Sequence, residues 1–301
     1  MKKVMFVYNP KAGKESALDY KDKIVNKLKE DFDYVIVRET EKRGSGIEFA
    51  QEASDNKYDA VCVYGGDGTI NEILNGLKDK ECVPGLRILP GGTGNILTQM
   101  IHIPQNMDEA IENLSFEKIK EVDLGVVNDE YTFSLFFSLG TVSEAIHNVS
   151  NEEKANLGFF AYIRDTFLGL LDRKNYKLKI TTEDMEYEGN VNHLLISLSN
   201  KVSFLKYSDV GKNMGSGKAN IYILTESNRL SRLSAASNAL LGKIEEDDNV
   251  TYLSGSNIKI ELMEDIEIET DVDGDKGPKL PVDIKILKKK IKLFLPKNYI
   301  E

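Results

Sequence analysis

VYGGDGTINEIL, residues 63–74, sets three glycines and an aspartate between an apolar run and a segment of helical spacing. Glycine weakens both strands and helices, so Gly65, Gly66 and Gly68 need a local reason. They can take backbone conformations closed to other residues, and they let a ligand come close to the main chain. Thr69 and Glu72 form a T-x-x-E pattern, which predicts a capping box and a helix N-terminus directly after the loop. Backbone N–H groups and the helix dipole then make an anion site suited to phosphates. Asp67 would repel a phosphate unless a cation intervened, so it is expected to hold Mg²⁺ or to polarise an attacking hydroxyl. The plainer reading of Asp67 is an Asx-type turn residue.

Working outward, the first third of the chain alternates strand and helix signals. KVMFVY, YVIVRET, DAVCVY and GLRILP read as strands. A helix from Ser16 to about Leu28, GIEFAQEAS, TINEILNGL and a helix start between Thr93 and Met100 read as the helices between and after them. Continuous rather than alternating apolar strands imply a parallel sheet covered on both faces, that is, a doubly wound α/β domain. Ligands of such sheets bind where loops leave the carboxyl ends of the strands. Here three such loops are unusual: NPKAG, GGDGT and PGGTGN.

Near Glu121 the pattern changes. YTFSLFFSL, YKLKITTE, NHLLISLS, ANIYILTE, NVTYLSG, NIKIELM, IEIETDV and VDIKILKKKIKLFL are strand-like and separated by turn-rich pieces, which predicts an all-β second domain, an antiparallel sandwich or a barrel-like form. Two helical segments, Leu157 to Leu171 and Arg229 to Leu241, interrupt it. The boundary expected from this change separates residues 1–122 from residues 123–288.

Composition bounds the partners. A net charge of −10 over 301 residues argues against nucleic acid. Cys62 and Cys82 lie outside any C-x-x-C or Cys/His cluster, so neither a disulfide framework nor a zinc site is expected, and a cytoplasmic location fits. The apolar run in MKKVMFVYNPKAG is too short for a secretory signal, and no stretch approaches the ~20 apolar residues of a membrane span. Lys285, Lys288, Lys289, Lys290, Lys292 and Lys297 form a basic tail, read either as a solvated face or as a patch for anionic headgroups. GKNMGSGK at 211–218 has the wrong spacing for a Walker loop, and His102, His147 and His193 have no metal-ligand spacing.

VYNPKAG, YGGDGTINEILNGL, LPGGTGN, LGFFAYIRDTFLGLL and DVDGDKGPKLPVDIKIL resemble, in order and spacing, the bacterial lipid kinases of the diacylglycerol kinase catalytic-domain family, relatives of sphingosine kinases. GGDGT alone is shared with NAD kinases and 6-phosphofructokinases, and the α/β domain is expected to have a sheet of their kind. The resemblance implies an ATP-binding first domain, residues 1–122 completed by about 289–301, a β-sandwich second domain for the lipid, and an active site in the cleft between them. It places Asn9, Pro10, Lys11, Ala12, Gly13, Thr40, Gly65, Gly66, Asp67, Gly68, Thr69, Ile70, Asn71 and Thr93 at the nucleotide, with Asp67 supporting Mg²⁺. Gly92, Gly94 and Asn95 are assigned to the substrate. The family's D-G-E motif, whose glutamate is the general base, falls on Asp273, Gly274 and Asp275, so Asp275 is the expected base, oriented with Asp273 and Asp67. Two further departures are Ile96, where relatives carry Asp, and Ser216-Gly217, where relatives have a D-G turn of a structural metal site. No structural metal site is therefore carried over.

The implied function is ATP-dependent phosphorylation of a lipid alcohol, diacylglycerol first, reached by peripheral contact with the inner face of the membrane. Leu157 to Leu171 is read as a lipid-facing lip or as a core-packing helix. The rival readings are a kinase for a sphingoid base, an isoprenoid alcohol or NAD, and a catalytically idle ATP- or lipid-binding regulator. A homodimer is left open.

Overall fold

The computed structural model describes residues 1–12, 17–92, 94–139, 175–202, 205–206, 208, 213–225, 234–235, 237–238 and 241–299. The expected helix at Leu157 to Leu171 and most of that at Arg229 to Leu241 lie outside the described residues. Two compact units emerge, Met1–Val122 with Lys289–Glu301, and Asp123–Lys288.

The first unit runs β1 (Lys3–Tyr8), α1 (Ala17–Leu28), β2 (Tyr34–Glu39), α2 (Ser45–Asp55), β3 (Ala60–Gly65), α3 (Asp67–Leu77), β4 (Gly85–Pro90), α4 (Ile96–Met100) and α5 (Met107–Glu112). Its strands are parallel in the order β2-β1-β3-β4. Strands β3 and β4 are buried along their whole length, as central parallel strands covered on both faces must be, whereas the edge strand β2 is only half-buried. Helices α2 and α3 pack tightly because position 76 is glycine: a methyl there would sit 2.6 Å from the Ile47 carbonyl oxygen.

The sequence pattern mistakes one device. Helix α3 begins at Asp67, its N-cap is Gly66, and no side chain caps it. Glu72 instead reaches α2, accepting from the N–H groups of Gly44 at 2.8 Å and Gly46 at 2.9 Å. The T-x-x-E pattern therefore marks a bond between helices rather than a capping box, because α2 packs directly against α3 and presents its own unpaired N–H groups to that carboxylate.

Arg87 of β4 is fully buried. Its guanidinium donates to the carbonyls of Phe294 (3.2 Å) and of Asn113, the C-cap of α5 (3.0 Å). A cation satisfies a helix C-terminus well. Burial nevertheless pulls its pKa down to about 10.

The second unit is built from antiparallel strands. They are the end of β5 (Ile119–Val127), β6 (Tyr131–Phe133), β7 (Phe136–Leu139), β8 (Tyr176–Thr181), β9 (Glu186–Ser197), the two-residue pair β10 (Lys201–Val202) and β11 (Leu205–Lys206), β12 (Ala219–Thr225), β13 (Val250–Gly255), β14 (Asn257–Leu262), β15 (Glu269–Val272), β16 (Asp275–Lys279) and most of β17 (Val282–Phe294). Strand β9 joins the layers: residues 186–191 pair with β8, and residues 194–197 pair with β7 and β12. Phe133, Phe137, Leu178, Ile196, Ile221, Ile260 and Ile284 are among the side chains of one continuous core. In β17, buried Val282, Ile284 and Ile286 alternate with exposed Asp283 and Lys285, so the basic tail begins as the outer face of a strand. Lys285 pairs with Asp129 at 3.2 Å, and Lys290 donates to the carbonyl of Lys80.

Candidate active site

Three loops leave the carboxyl ends of adjacent strands β1, β3 and β4 and meet main chain to main chain. The Gly91 N–H donates to the Gly65 carbonyl at 3.1 Å. A methyl at Gly92 would lie 2.6 Å from the Gly66 α-carbon, and one at Gly91 would lie 2.9 Å from the Gly65 nitrogen and 3.1 Å from the Ala12 side chain. Gly65 is equally confined, since a methyl there would meet Thr69 at 2.7 Å. Most of these glycines thus let the loops touch one another. Gly68 differs: among the described residues nothing lies within 4 Å of where its side chain would be.

Asp67 ties two of these loops together. Its Oδ2 accepts from the Asn95 N–H at 3.0 Å and its Oδ1 from the Ile96 N–H at 3.1 Å, which satisfies donors of the first turn of α4. Asn95 sits at φ 47°, and its side chain closes a ring on Gly92 by accepting from that N–H at 2.7 Å and donating to that carbonyl at 2.8 Å. Across the first loop, the Asn9 N–H donates to the Tyr64 carbonyl at 2.9 Å and its amide to Thr69 Oγ1 at 3.5 Å. The Thr40 N–H donates to the Tyr8 carbonyl at 2.9 Å. Residues 9–12, 40, 65–69, 92 and 94–95 therefore gather at the carboxyl edge of one sheet. Ile70 has a buried side chain, and its N–H is bonded to the Gly66 carbonyl, so it serves packing there. Gly13 and Thr93 lie outside the described residues.

The second group of expected residues lies in the second unit, on the β15–β16 hairpin. Asp273 and Gly274 form its turn at φ 51° and 92°, the positive values a two-residue type I′ turn requires. The Gly274 N–H donates to Asp271 Oδ1 at 2.9 Å, and Val272 pairs with Asp275 across the turn. Asp275 is thereby exposed on the first residue of β16.

Asp273 is bonded to the main chain of residues 134–136. Its Oδ2 accepts from the Ser134 N–H (2.6 Å) and hydroxyl (3.1 Å), and its Oδ1 from the N–H groups of Leu135 (3.0 Å) and Phe136 (2.9 Å). These bonds break YTFSLFFSL into β6 and β7, because the main-chain donors turn to a carboxylate instead of to a strand. Burial pushes the Asp273 carboxyl up to about 6, against the pull of the same donors. Asp273 thus fixes the hairpin on which Asp275 stands. Among the described residues no three carboxylate, imidazole or thiol groups converge as a metal cage. A metal held mainly by nucleotide phosphates and one carboxylate needs no such cage. Nor is any described helix long and apolar enough to cross a membrane.

The first unit has the doubly wound α/β class of fold, whose ligands bind at the point where the strand order reverses, here the β1/β3 switch that carries the glycine loops. The family model described as the diacylglycerol kinase catalytic domain matches residues 3–127. A protein of Streptococcus pneumoniae named "Putative lipid kinase" is 42% identical over 98% of each chain. The diacylglycerol kinase of Bacillus subtilis is 25% identical over 100% of this chain and 99% of its own. A crystal structure of a diacylglycerol kinase from Bacillus anthracis superposes with a TM-score of 0.80 at 27% identity, covering 97% of this chain and 96% of that one. The chain belongs to the diacylglycerol kinase catalytic-domain family.

Proposed function

We propose that the protein is an ATP-dependent lipid kinase that phosphorylates diacylglycerol to phosphatidic acid. The observation that carries this reading is the meeting of three strand-end loops around Asp67 in a chain of this family. The open space at Gly68 and the N-terminus of α3 suit phosphate oxygens. Asp67 would help to hold Mg²⁺ carried by the nucleotide phosphates, and its bonds to Asn95 and Ile96 are compatible with this because an ionised carboxylate has about four acceptor sites. When bound, the ion supplies charge neutralisation.

Asp275 is the general base. Exposed beside a rigid turn, it takes the proton of the acceptor hydroxyl as the oxygen bonds to the γ-phosphorus and the bond to the β,γ-bridging oxygen breaks, releasing ADP. A side chain one methylene shorter than glutamate reaches the hydroxyl directly or through one water. The lipid is met at the membrane surface. Transfer of labelled phosphate from ATP to a panel of lipid alcohols in mixed micelles tests the proposal. Diacylglycerol should be labelled fastest; no labelling of any lipid alcohol would refute it.

A further inference from the structure

At the end of β1 a phenol is buried where the sheet meets its loops. Tyr8 is 1% exposed, and its hydroxyl donates to Glu39, its register partner at the end of β2. Lys21 of α1 approaches the same ring, with Nζ 5.1 Å from its centroid. Burial and the bond to Glu39 raise the Tyr8 pKa, so the phenol remains a donor. A buried tyrosine needs a partner for its hydroxyl, and that alone would account for the bond. It does not account for the place, since Glu39 is exposed at the carboxyl edge of the sheet, next to Thr40, whose N–H is bonded to Tyr8.

The strand order fixes what can lie there. With β2-β1-β3-β4, the glycine loops of β3 and β4 occupy one side of β1, and Glu39 ends the strand on the other. If phosphates sit at the glycine loops, the nucleoside extends toward β2. A carboxylate there repels phosphate but matches a neighbouring pair of hydroxyl donors. Resting on the nucleotide reading above, we propose that Glu39 is a specificity residue that accepts hydrogen bonds from the ribose hydroxyls of the nucleotide, and that Tyr8 is the positioning residue that holds it.

Calorimetric titration of the full chain with Mg-ATP and with Mg-2′,3′-dideoxy-ATP tests this. The parent should prefer ATP by roughly tenfold or more, the range for hydrogen bonds to a charged acceptor. Glu39→Leu should bind the two nucleotides equally, chiefly by weakening ATP. Tyr8→Phe should narrow the preference while leaving inorganic tripolyphosphate binding unchanged, a pattern that general destabilisation would not give. Equal affinities in the parent, or an equal loss for both nucleotides in Glu39→Leu, would overturn the assignment and leave the nucleotide reading standing. Absence of binding to either nucleotide by the parent would overturn both.

Discussion

Replacing Asp67 should injure the fold and the chemistry separately, and two substitutions divide the effects. Asp67→Ala removes the acceptor of two main-chain N–H groups, those of Asn95 and Ile96, which are 8% and 7% exposed as residues. Hydrogen bonds to a charged acceptor contribute about 1.5 to 3 kcal/mol each. Partial rescue by water at the loop brings the expected loss to about 3 kcal/mol, or a fall of roughly 10 °C in melting temperature for a unit of this size. Asp67→Asn keeps one oxygen acceptor and should lose about half as much. Both variants should lose Mg-ATP affinity, the Asn variant out of proportion to its stability change, because its fold is nearly kept while its charge is gone. Urea unfolding and calorimetric titration of the three proteins give the two readouts. An Asp67→Ala protein as stable as the parent would refute the structural half of this reasoning, and an Asp67→Asn protein that binds Mg-ATP as tightly as the parent would refute the other half.

Asp275→Asn should lower turnover by ~10² to 10⁴ with nucleotide binding retained, and Asp275→Glu should match or exceed the parent; an Asn variant at full rate would place the base elsewhere. Asp273→Ala should instead lower stability, by about 2 kcal/mol or more in urea, since three main-chain donors lose their acceptor. Gly92→Val should abolish nucleotide binding by driving apart two loops that now touch, as a methyl there already falls 2.6 Å from Gly66; unchanged affinity would count against the site. His193 is buried, neither ring nitrogen has a hydrogen-bond partner among the described residues, and burial holds its pKa down to about 4. Below pH 6.5 the unfolded chain takes up a proton that the folded chain refuses, so stability present above 6.5 is lost, by about 3 kcal/mol, as pH falls toward 4. Urea midpoints between pH 7 and 4.5 should fall less steeply in His193→Phe than in the parent.

Much of this was legible because it is local. KVMFVY and DAVCVY are uninterrupted apolar runs, and a strand covered on both faces leaves no other mark. The glycine loops stand out for the same reason. What each glycine does was not legible: the contact of Gly66 with Gly92 depends on two strands lying side by side, which spacing along the chain does not record. Glu72 obeys a capping rule in sequence and serves another helix in space. YTFSLFFSL reads as one strand because its donors' partner, Asp273, is 137 residues from Phe136. Helix α5, short and begun by Asn106, whose side chain accepts from the Glu109 N–H, offered only a weak periodic signal. The bond between Tyr8 and Glu39 joins residues 31 apart that only the parallel register makes neighbours.

Arg87 also bears on how the protein is made. One of its two carbonyl partners belongs to Phe294, and Leu293 pairs with Leu86 along the same strand edge. A ribosome that has released only the first 122 residues has produced every glycine loop but not the strand that shields β4. Until residues near 294 emerge, this guanidinium has the Asn113 carbonyl but not that of Phe294, and an edge of the sheet stands open to strangers. The first unit is therefore finished last although its loops are translated first, and a nascent chain cut short within the second unit has no completed first unit.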